Sequence, residues 1–456
     1  MNLDNVKNLG WRVTMAGVGI NLALGVIYAW SVVKKAIPAS WEWSDFQKNL
    51  PYSIACLVFA LTMIPAGRAQ DRLGPRWVAL AGGVAVGVGM ILASLTSNVT
   101  MFVLGFGVLT GAGIGMGYAA ATPAAVKWFG PHRTGLIAGL VVAGFGLASV
   151  YIAPLVKYMV GAFSVTDASG AVDTGPGVQM VLMILGVAFL VVVGGLSQLL
   201  AVPPAGWKPE GAPVATGKKP VVYESTDRTW QQMLGTPQFY LLWLMYAFAA
   251  GAGLMIIANL APIIKLQAGA EAGNYGFLFV ALLAIGNAGG RVCAGVVSDK
   301  IGRRATMLVF FLFQAGLMFV LPMVNSIAVF AIISMLLGAN YGANLTLFPS
   351  VTKDYFGLKN FGVNYGWVFT AWGVGGLVLA QLSGLIYDST RAAHKASLIA
   401  DGMAETAATA QAVGNYNMAY TLAGVFLVVA ALLLSLLRHP AKASEPAGLA
   451  AAAPSA

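Results

Sequence analysis

Among the 26 lysines and arginines of this 456-residue chain, Arg291 is set apart by its surroundings. It lies inside the apolar run LLAIGNAGGRVCAGVV, whereas the remaining Asp, Glu, Lys and Arg residues fall in loops or at the ends of such runs. If the run is a helix, Asp299 marks its end eight residues on, which puts Arg291 ~12 Å deeper. A guanidinium placed there costs at least ~2.5–3.5 kcal/mol on insertion scales, so it is expected to face a cavity. Its planar fork suits a carboxylate through parallel hydrogen bonds; backbone carbonyls are the other partners open to it. Asn287, one turn earlier, shares its face and can hold the Arg or a ligand but cannot titrate.

A second pattern is charged and sits in loops. Residues 67–76 read GRAQDRLGPR and residues 295–304 read GVVSDKIGRR, with Gly67, Asp71, Gly74 and Arg76 each 228 residues before their counterparts. An Asp just past a helix end, followed by Gly and basic residues, can cap a neighbouring helix and pair with an Arg across the half. Such clusters (here Asp71, Arg72 and Arg76, and Asp299, Arg303 and Arg304) are expected to lock one face of a moving assembly and to break as it opens. A solvated loop that only orients the chain is the alternative.

Tyr28, Tyr118 and Tyr341 are phenols within apolar runs, and a buried phenol needs a hydrogen-bond partner. Phe145, Phe369 and Trp372 are candidates for an apolar wall. Each of these rings can equally face lipid or pack between helices. Asn21, Asn259 and Asn344 are further amides with no role beyond structural hydrogen bonding. Lys34 and Lys35, near the outer end of the first run, are expected to snorkel towards water, with attraction of anions as the alternative.

The elements that carry these residues follow from composition. Hydrophobic residues make up 58% of the chain and charged ones 9%, against roughly 25% charged in ordinary soluble domains. That excludes a soluble protein of this size, and two cysteines, Cys56 and Cys293, exclude a disulfide scaffold. Apolar runs long enough to cross a bilayer lie near 12–35, 51–70, 77–96, 101–124, 134–157, 179–202, 238–261, 274–297, 306–325, 327–350, 363–386 and 416–437. The fold class is therefore all-α membrane, with twelve transmembrane helices and the first retained rather than cleaved. With the N-terminus inside, eighteen basic residues fall on the cytoplasmic side and seven outside, as the positive-inside rule requires. The +10 net charge is thus a topology signal, and no basic face points to nucleic acid.

The motif repeat divides the twelve helices into two pseudo-symmetric halves of six. WFG at 128–130 answers YFG at 355–357, and Gly135, Gly139 and Gly146 recur at Gly362, Gly366 and Gly373. The boundaries are 1–202 and 236–439 for the halves, 203–235 for a flexible cytoplasmic linker and 440–456 for a disordered tail. The stretches 161–178 and 388–415 read as ordinary outside loops. Parallel six-helix repeats point to a transporter built around the interface between halves. Glycines crowd the fourth run, and GxxxG spacings at 135/139 and 362/366 are expected to pack helices closely. A dinucleotide-binding reading of those glycines fails for want of a βαβ unit. No HExxH, paired intramembrane carboxylates or nucleophile–His pair supports an enzyme, and no cofactor or metal is expected.

GRAQDRLGPR resembles the cytoplasmic loop signature of the major facilitator superfamily. MLGTPQFYLLW at 233–243, NLTLFPSVTKDYFG at 344–357, SDKIGR at 298–303 and GAGIGMGYAAATPAAVKWF at 111–129 resemble the oxalate/formate antiporter group and its monocarboxylate-transporter relatives. The resemblance covers the chain to about residue 438. It implies alternating access for small organic anions in a bacterial-type plasma (inner) membrane, with Arg291 binding substrate and Tyr28, Tyr118, Phe145, Tyr341 and Trp372 in the pocket. Two departures matter. Animal-type relatives carry an Asp, tied to proton coupling, where this chain has Asn287. Oxalate-transporting relatives carry a Lys, serving a second carboxylate, where it has Trp372. One buried cation balances one carboxylate, so a monoanion such as lactate or pyruvate is expected and oxalate is disfavoured. The expected partners are that anion, the bilayer, and either protons in symport, as the resemblance favours, or a counter-anion in exchange, as an unpaired Arg291 favours. A receptor or channel on the same fold remains a remote alternative, and a monomer is expected.

Overall fold

In the computed structural model, residues 8–129, 134–168, 170–204, 207, 227–357 and 360–438 are described. Most of the expected linker at 203–235 and all of the tail at 440–456 lie outside them. Twelve helices are long and apolar enough to cross a membrane: α1 (Gly10–Ala36), α2 (Asp45–Leu73), α3 (Pro75–Ser94), α4 (Val99–Val126), α5 (Leu136–Phe163), α6 (Gly175–Ser197), α7 (Pro237–Gln267), α8 (Gly276–Ile301), α9 (Arg303–Met323), α10 (Ile327–Phe356), α11 (Phe361–Ala400) and α12 (Asn417–Leu436). Each matches one of the twelve apolar runs.

Local chemistry sets the boundaries. Ser44 starts α2 through a capping box, its hydroxyl accepting from Gln47 N at 3.2 Å while Gln47 Oε1 accepts from Ser44 N at 2.9 Å. Thr236 caps α7, with Pro237 in its first turn. The two loop motifs turn identically: Gly74 and Gly302 end α2 and α8 with φ of 85° and 89°, a region open to glycine alone. The duplication is therefore conformational as well as sequential.

Two stretches read as loops are ordered differently. Residues Val165–Thr166 and Val172–Asp173 pair as a short antiparallel hairpin. The stretch from 388 onward continues α11 to Ala400, making a helix of 40 residues, and is followed by a short helix, Glu405–Gln411. STRAAHKASLIA is polar but rich in helix formers, so the loss of hydrophobicity marks the end of the apolar run and not the end of the helix. Arg391 Nε donates to Ala412 O at 3.2 Å and Lys395 pairs with Glu405 at 2.9 Å, folding the extension back on itself.

The halves meet chiefly along α2 against α11 and α5 against α8. Within the second half, α8 and α10 touch backbone to backbone: a Cβ on Gly286 or Gly290 would overlap the carbonyl of Met335 or Ala339. Glycines on α4 do the same against α2 and α3, as the crowding of glycine there predicts. The GxxxG spacings are mixed: Gly139 and Gly362 have nothing within 4 Å of where a Cβ would sit, whereas one on Gly366 would meet Ile64 at 3.3 Å.

Candidate functional site

The platform made by α8 and α10 holds Arg291, which is 8% exposed. Its Nε donates to Asn287 Oδ1 at 3.1 Å, and its Nη1 reaches across the half–half interface to Val142 O on α5 at 3.0 Å. Two donors are left over. Arg291 Nη2 and Asn287 Nδ2 are buried and have no hydrogen-bond partner among the described residues. Both converge on Gly146 of α5, where a Cβ would sit 3.4 Å from Nη2 and 3.5 Å from Nδ2. A side-on fork through Nε and Nη2 is therefore not open, because the single Nε–H is engaged. What the site offers an anion is one arm of the Arg and the amide beside it. Leaving such donors unsatisfied costs ~1–3 kcal/mol each, so both are open to an acceptor, whether a ligand oxygen or a water.

The rings named from the sequence surround this point. Tyr118 stands close enough to interact with the guanidinium, and packs edge-on against Phe145 with centroids 5.3 Å apart. Tyr28 meets Phe145 in the same way at 5.0 Å. The Tyr28 and Tyr341 hydroxyls share a hydrogen bond of 2.7 Å across the two halves, and Trp372 Nε1 donates to Tyr341 OH at 2.8 Å. Phe369 stacks on Trp372. Phe59 of α2, not singled out in the sequence, is the centre of the cluster, with ring contacts to Tyr118, Phe145, Phe369 and Trp372. Gly146, noted from the sequence only as a repeat partner of Gly373, is the other residue the sequence does not place in the site. Phe59 carries no signal against a background of apolar residues.

The surroundings of this cluster differ at its two ends. Towards the motif loops, two clefts run between the halves. One, of 410 Å³, lies among α2, α4, α10 and α11 and is lined by Asp71, Tyr118, Lys127, Gly362 and Tyr365. The other, of 640 Å³, lies among α5, α8 and α10 and is lined by Gly139, Arg291, Gly295 and Asp299. They share Val142, Leu345 and Pro349 in their walls. Away from the motif loops the halves are sealed, in layers, by hydrogen bonds. Tyr52 OH donates to Leu254 O at 3.1 Å, Gln381 to Ser53 at 3.1 Å and Asn49 to Ala380 O at 2.8 Å. Beyond these, Lys34 is 2% exposed and pairs with Asp45 at 2.7 Å. Its remaining donors go to Asn49 and, across the interface, to Asn259. The expected snorkelling of Lys34 is thus corrected: Asp45, Asn49 and Asn259 together satisfy a buried ammonium. Lys35 donates to Gly273 O, again in the other half.

Among the described residues, the loop-motif residues make no ion pair or side-chain hydrogen bond between halves. Asp71 pairs with Lys127 rather than an Arg, at 3.6 Å, and both side chains are well exposed. Arg72 has no ion pair among the described residues. Arg76 reaches Gln198 within the first half. Arg303 pairs with Asp299 at 2.8 Å and with Asp354 at 3.4 Å, and Arg304 donates to Leu434 O at 3.0 Å, all within the second half.

The chain belongs to the Major Facilitator Superfamily, whose family model matches residues 15–380 and 278–455; it is a multi-pass membrane transporter and not an enzyme. It is 29% identical over 349 residues to the oxalate:formate antiporter of Oxalobacter formigenes, covering 76% of this chain and 77% of that one. It is 24% identical over 410 residues to monocarboxylate transporter 12 of Homo sapiens, covering 84% and 72%. Among solved structures it matches a bacterial homologue of the human lysosomal transporter Spinster with a TM-score of 0.70 at 18% identity, covering 95% of this chain and 98% of that one.

Proposed function

We propose, from this membership and the geometry of the site, that the protein is a secondary active transporter of small monocarboxylates of the size of lactate or pyruvate. The observation that carries the reading is the pair of buried donors without a partner among the described residues, Arg291 Nη2 and Asn287 Nδ2, with Arg291 lining one of the two clefts between the halves. A carboxylate oxygen at that point accepts from both, and its single charge balances Arg291. Trp372 in place of a second cation favours a monoanion over oxalate. The rings of Phe145, Phe59 and Trp372 suit a short apolar tail. Members of the oxalate/formate and monocarboxylate groups are the similar proteins, which supports the same substrate class.

The transport cycle is alternating access. The motif end is open here and the opposite end sealed; Asp71, Arg72 and Arg76, with Asp299, Arg303 and Arg304, act when the motif end closes. Residues 1–202 and 236–439 are the moving halves, joined by 203–235, and one chain is a complete carrier because both sides of the site come from it. The basic-residue count favours a motif end, and both termini, on the cytoplasmic side of a bacterial-type plasma membrane. Coupling is proton symport, with the weak acid and its proton moving together. Anion exchange is the second reading, and one observation favours it: Arg291 has no carboxylate partner among the described residues, so an empty carrier would carry an unbalanced cation through the cycle.

Uptake of labelled L-lactate into proteoliposomes tests both. Gradient-driven uptake into empty vesicles, lost in Arg291→Ala, is the expected result. Uptake only against internal lactate would establish exchange, and no flux in either condition would overturn the substrate class.

A further inference from the structure

The seal contains a carboxylate-binding site that is already filled. Asp388 of α11 lies across the interface from the start of α2, and its two oxygens accept from Asp45 N and Phe46 N, each at 2.9 Å. These are amides of the first turn, which no helical carbonyl can satisfy. The site is not a bare helix end, since a carboxylate sits in it and cations stand beside it: the buried Lys34, paired with Asp45, and the half-buried Lys48, three residues after Asp45 in the opening turn of α2.

Everything that closes this site belongs to the other half. Asp388 rides on α11, Asn259 on α7, and Tyr416, whose hydroxyl donates to Asp45 at 3.0 Å, just precedes α12. When the halves part here, these leave together. The first half keeps Lys34 and Lys48 against one acid, Asp45, and regains two unpaired N–H groups at a helix N-terminus. That is a net cationic, donor-rich surface at the mouth of the carrier.

We propose that the N-terminus of α2, with Lys34 and Lys48, is a second anion site, plugged by Asp388 in this conformation and taken by an incoming small carboxylate as that end opens. The proposal rests on the transport reading above and adds a step to it: substrate displaces an internal carboxylate, so arrival and unlatching are one event. Ion for ion, the exchange leaves the charge of the site unchanged.

A buried thiol reports it. Cys56 on α2 is 0% exposed and packs under Gly373 and Gly376 of α11, whereas Cys293 is exposed. In a Cys293→Ser background, maleimide added with L-lactate, or with chloride at equal ionic strength, should label Cys56 faster with lactate. Asp388→Asn should label roughly tenfold faster without lactate, in proportion to the loss of a charged helix cap, with little further gain on adding it. Lys48→Gln leaves the Asp388 hydrogen bonds in place and should cut the lactate effect several-fold while basal labelling stays low. In Arg291→Ala the lactate effect should persist. Labelling of Asp388→Asn at the parent rate would overturn the latch, and no lactate effect in the parent would overturn the anion site. A lactate effect lost with Arg291→Ala would assign opening to the central site, overturning this proposal and leaving the transport reading intact. Failure of that reading would show instead as absent uptake by the unmodified chain.

Discussion

The same two helices, α2 and α11, are packed in opposite ways at their two ends. At the sealed end the glycines of α11 are pressed onto α2. A Cβ on Gly373 would lie 2.6 Å from Ala60 Cβ, one on Gly376 3.1 Å from Cys56 Cβ, and one on Gly384 2.8 Å from Phe46 Cα. At the motif end, Gly67 of α2 and Gly362 of α11 line an open cleft with nothing within 4 Å. Small residues at an interface normally mark close approach. Here they mark it twice, once where it has happened and once where it has yet to happen. The polar groups divide in the same way. Hydrogen bonds cross between halves at the sealed end, whereas the motif-end ion pairs close on their own half.

The contrast is sharpest at the buried ammonium. Lys34→Met leaves Asp45 without its cation, and should cost ~3–5 kcal/mol of stability, whereas the double variant with Asp45→Asn should recover most of it. Thermal unfolding in detergent measures both, and additive losses would mean that the pair is not coupled. Next is Arg291→Ala, which removes the buried cation beside the aromatic cluster and should lower lactate uptake by about a hundredfold or more. Two valines then test the glycines directly. Gly373→Val overfills a closed contact and should cost ~1–3 kcal/mol of stability. Gly362→Val meets open space and should leave thermal stability unchanged, yet block transport by preventing closure. Equal destabilisation by both would refute the comparison.

A smaller effect is expected at the substrate point. Gly146→Ala places a methyl between Nη2 and Nδ2 and should raise the KM for lactate by roughly tenfold, with a smaller change in maximal rate. Gly139→Ala, on the same helix but in open space, should leave KM unchanged. The least effect belongs to Glu405, whose carboxyl the neighbouring Lys395 holds below its usual pKa. A lowered folded-state pKa stabilises above the unfolded value and is lost as pH falls through the lower one, so whatever the pair contributes is present above about pH 4 and fades below it. Glu405→Gln should leave unfolding at neutral pH within error, because that pair is solvent-exposed.

Much of this was legible from residue types. The twelve spans appear as apolar runs, because bilayer thickness imposes a length that few other structures need. Arg291 is visible as a lone charge within such a run, and the rings around it as phenols and indoles in apolar segments. Lys34 misleads for a physical reason. A lysine near the end of a span usually reaches water, and the groups that make burial tolerable here come from two other helices, Asp45 and Asn49 from the start of α2 and Asn259 from α7. The extension of α11 was hidden by the use of hydrophobicity as the mark of a helix. Gly146 and Phe59 matter through what lies opposite them, which no single segment records.

The unbroken length of α11 has a mechanical consequence. At 1.5 Å per residue its 40 residues make a rod of ~60 Å, with Trp372 ~24 Å from Asp388 and ~15 Å from Gly362. A tilt of ~10° about the aromatic cluster would move Asp388 by ~4 Å, enough to pull it from the amides of α2, while the indole beside the cluster scarcely shifts. With the fulcrum at the site, the carrier can trade one closed end for the other without loosening its hold on the cargo.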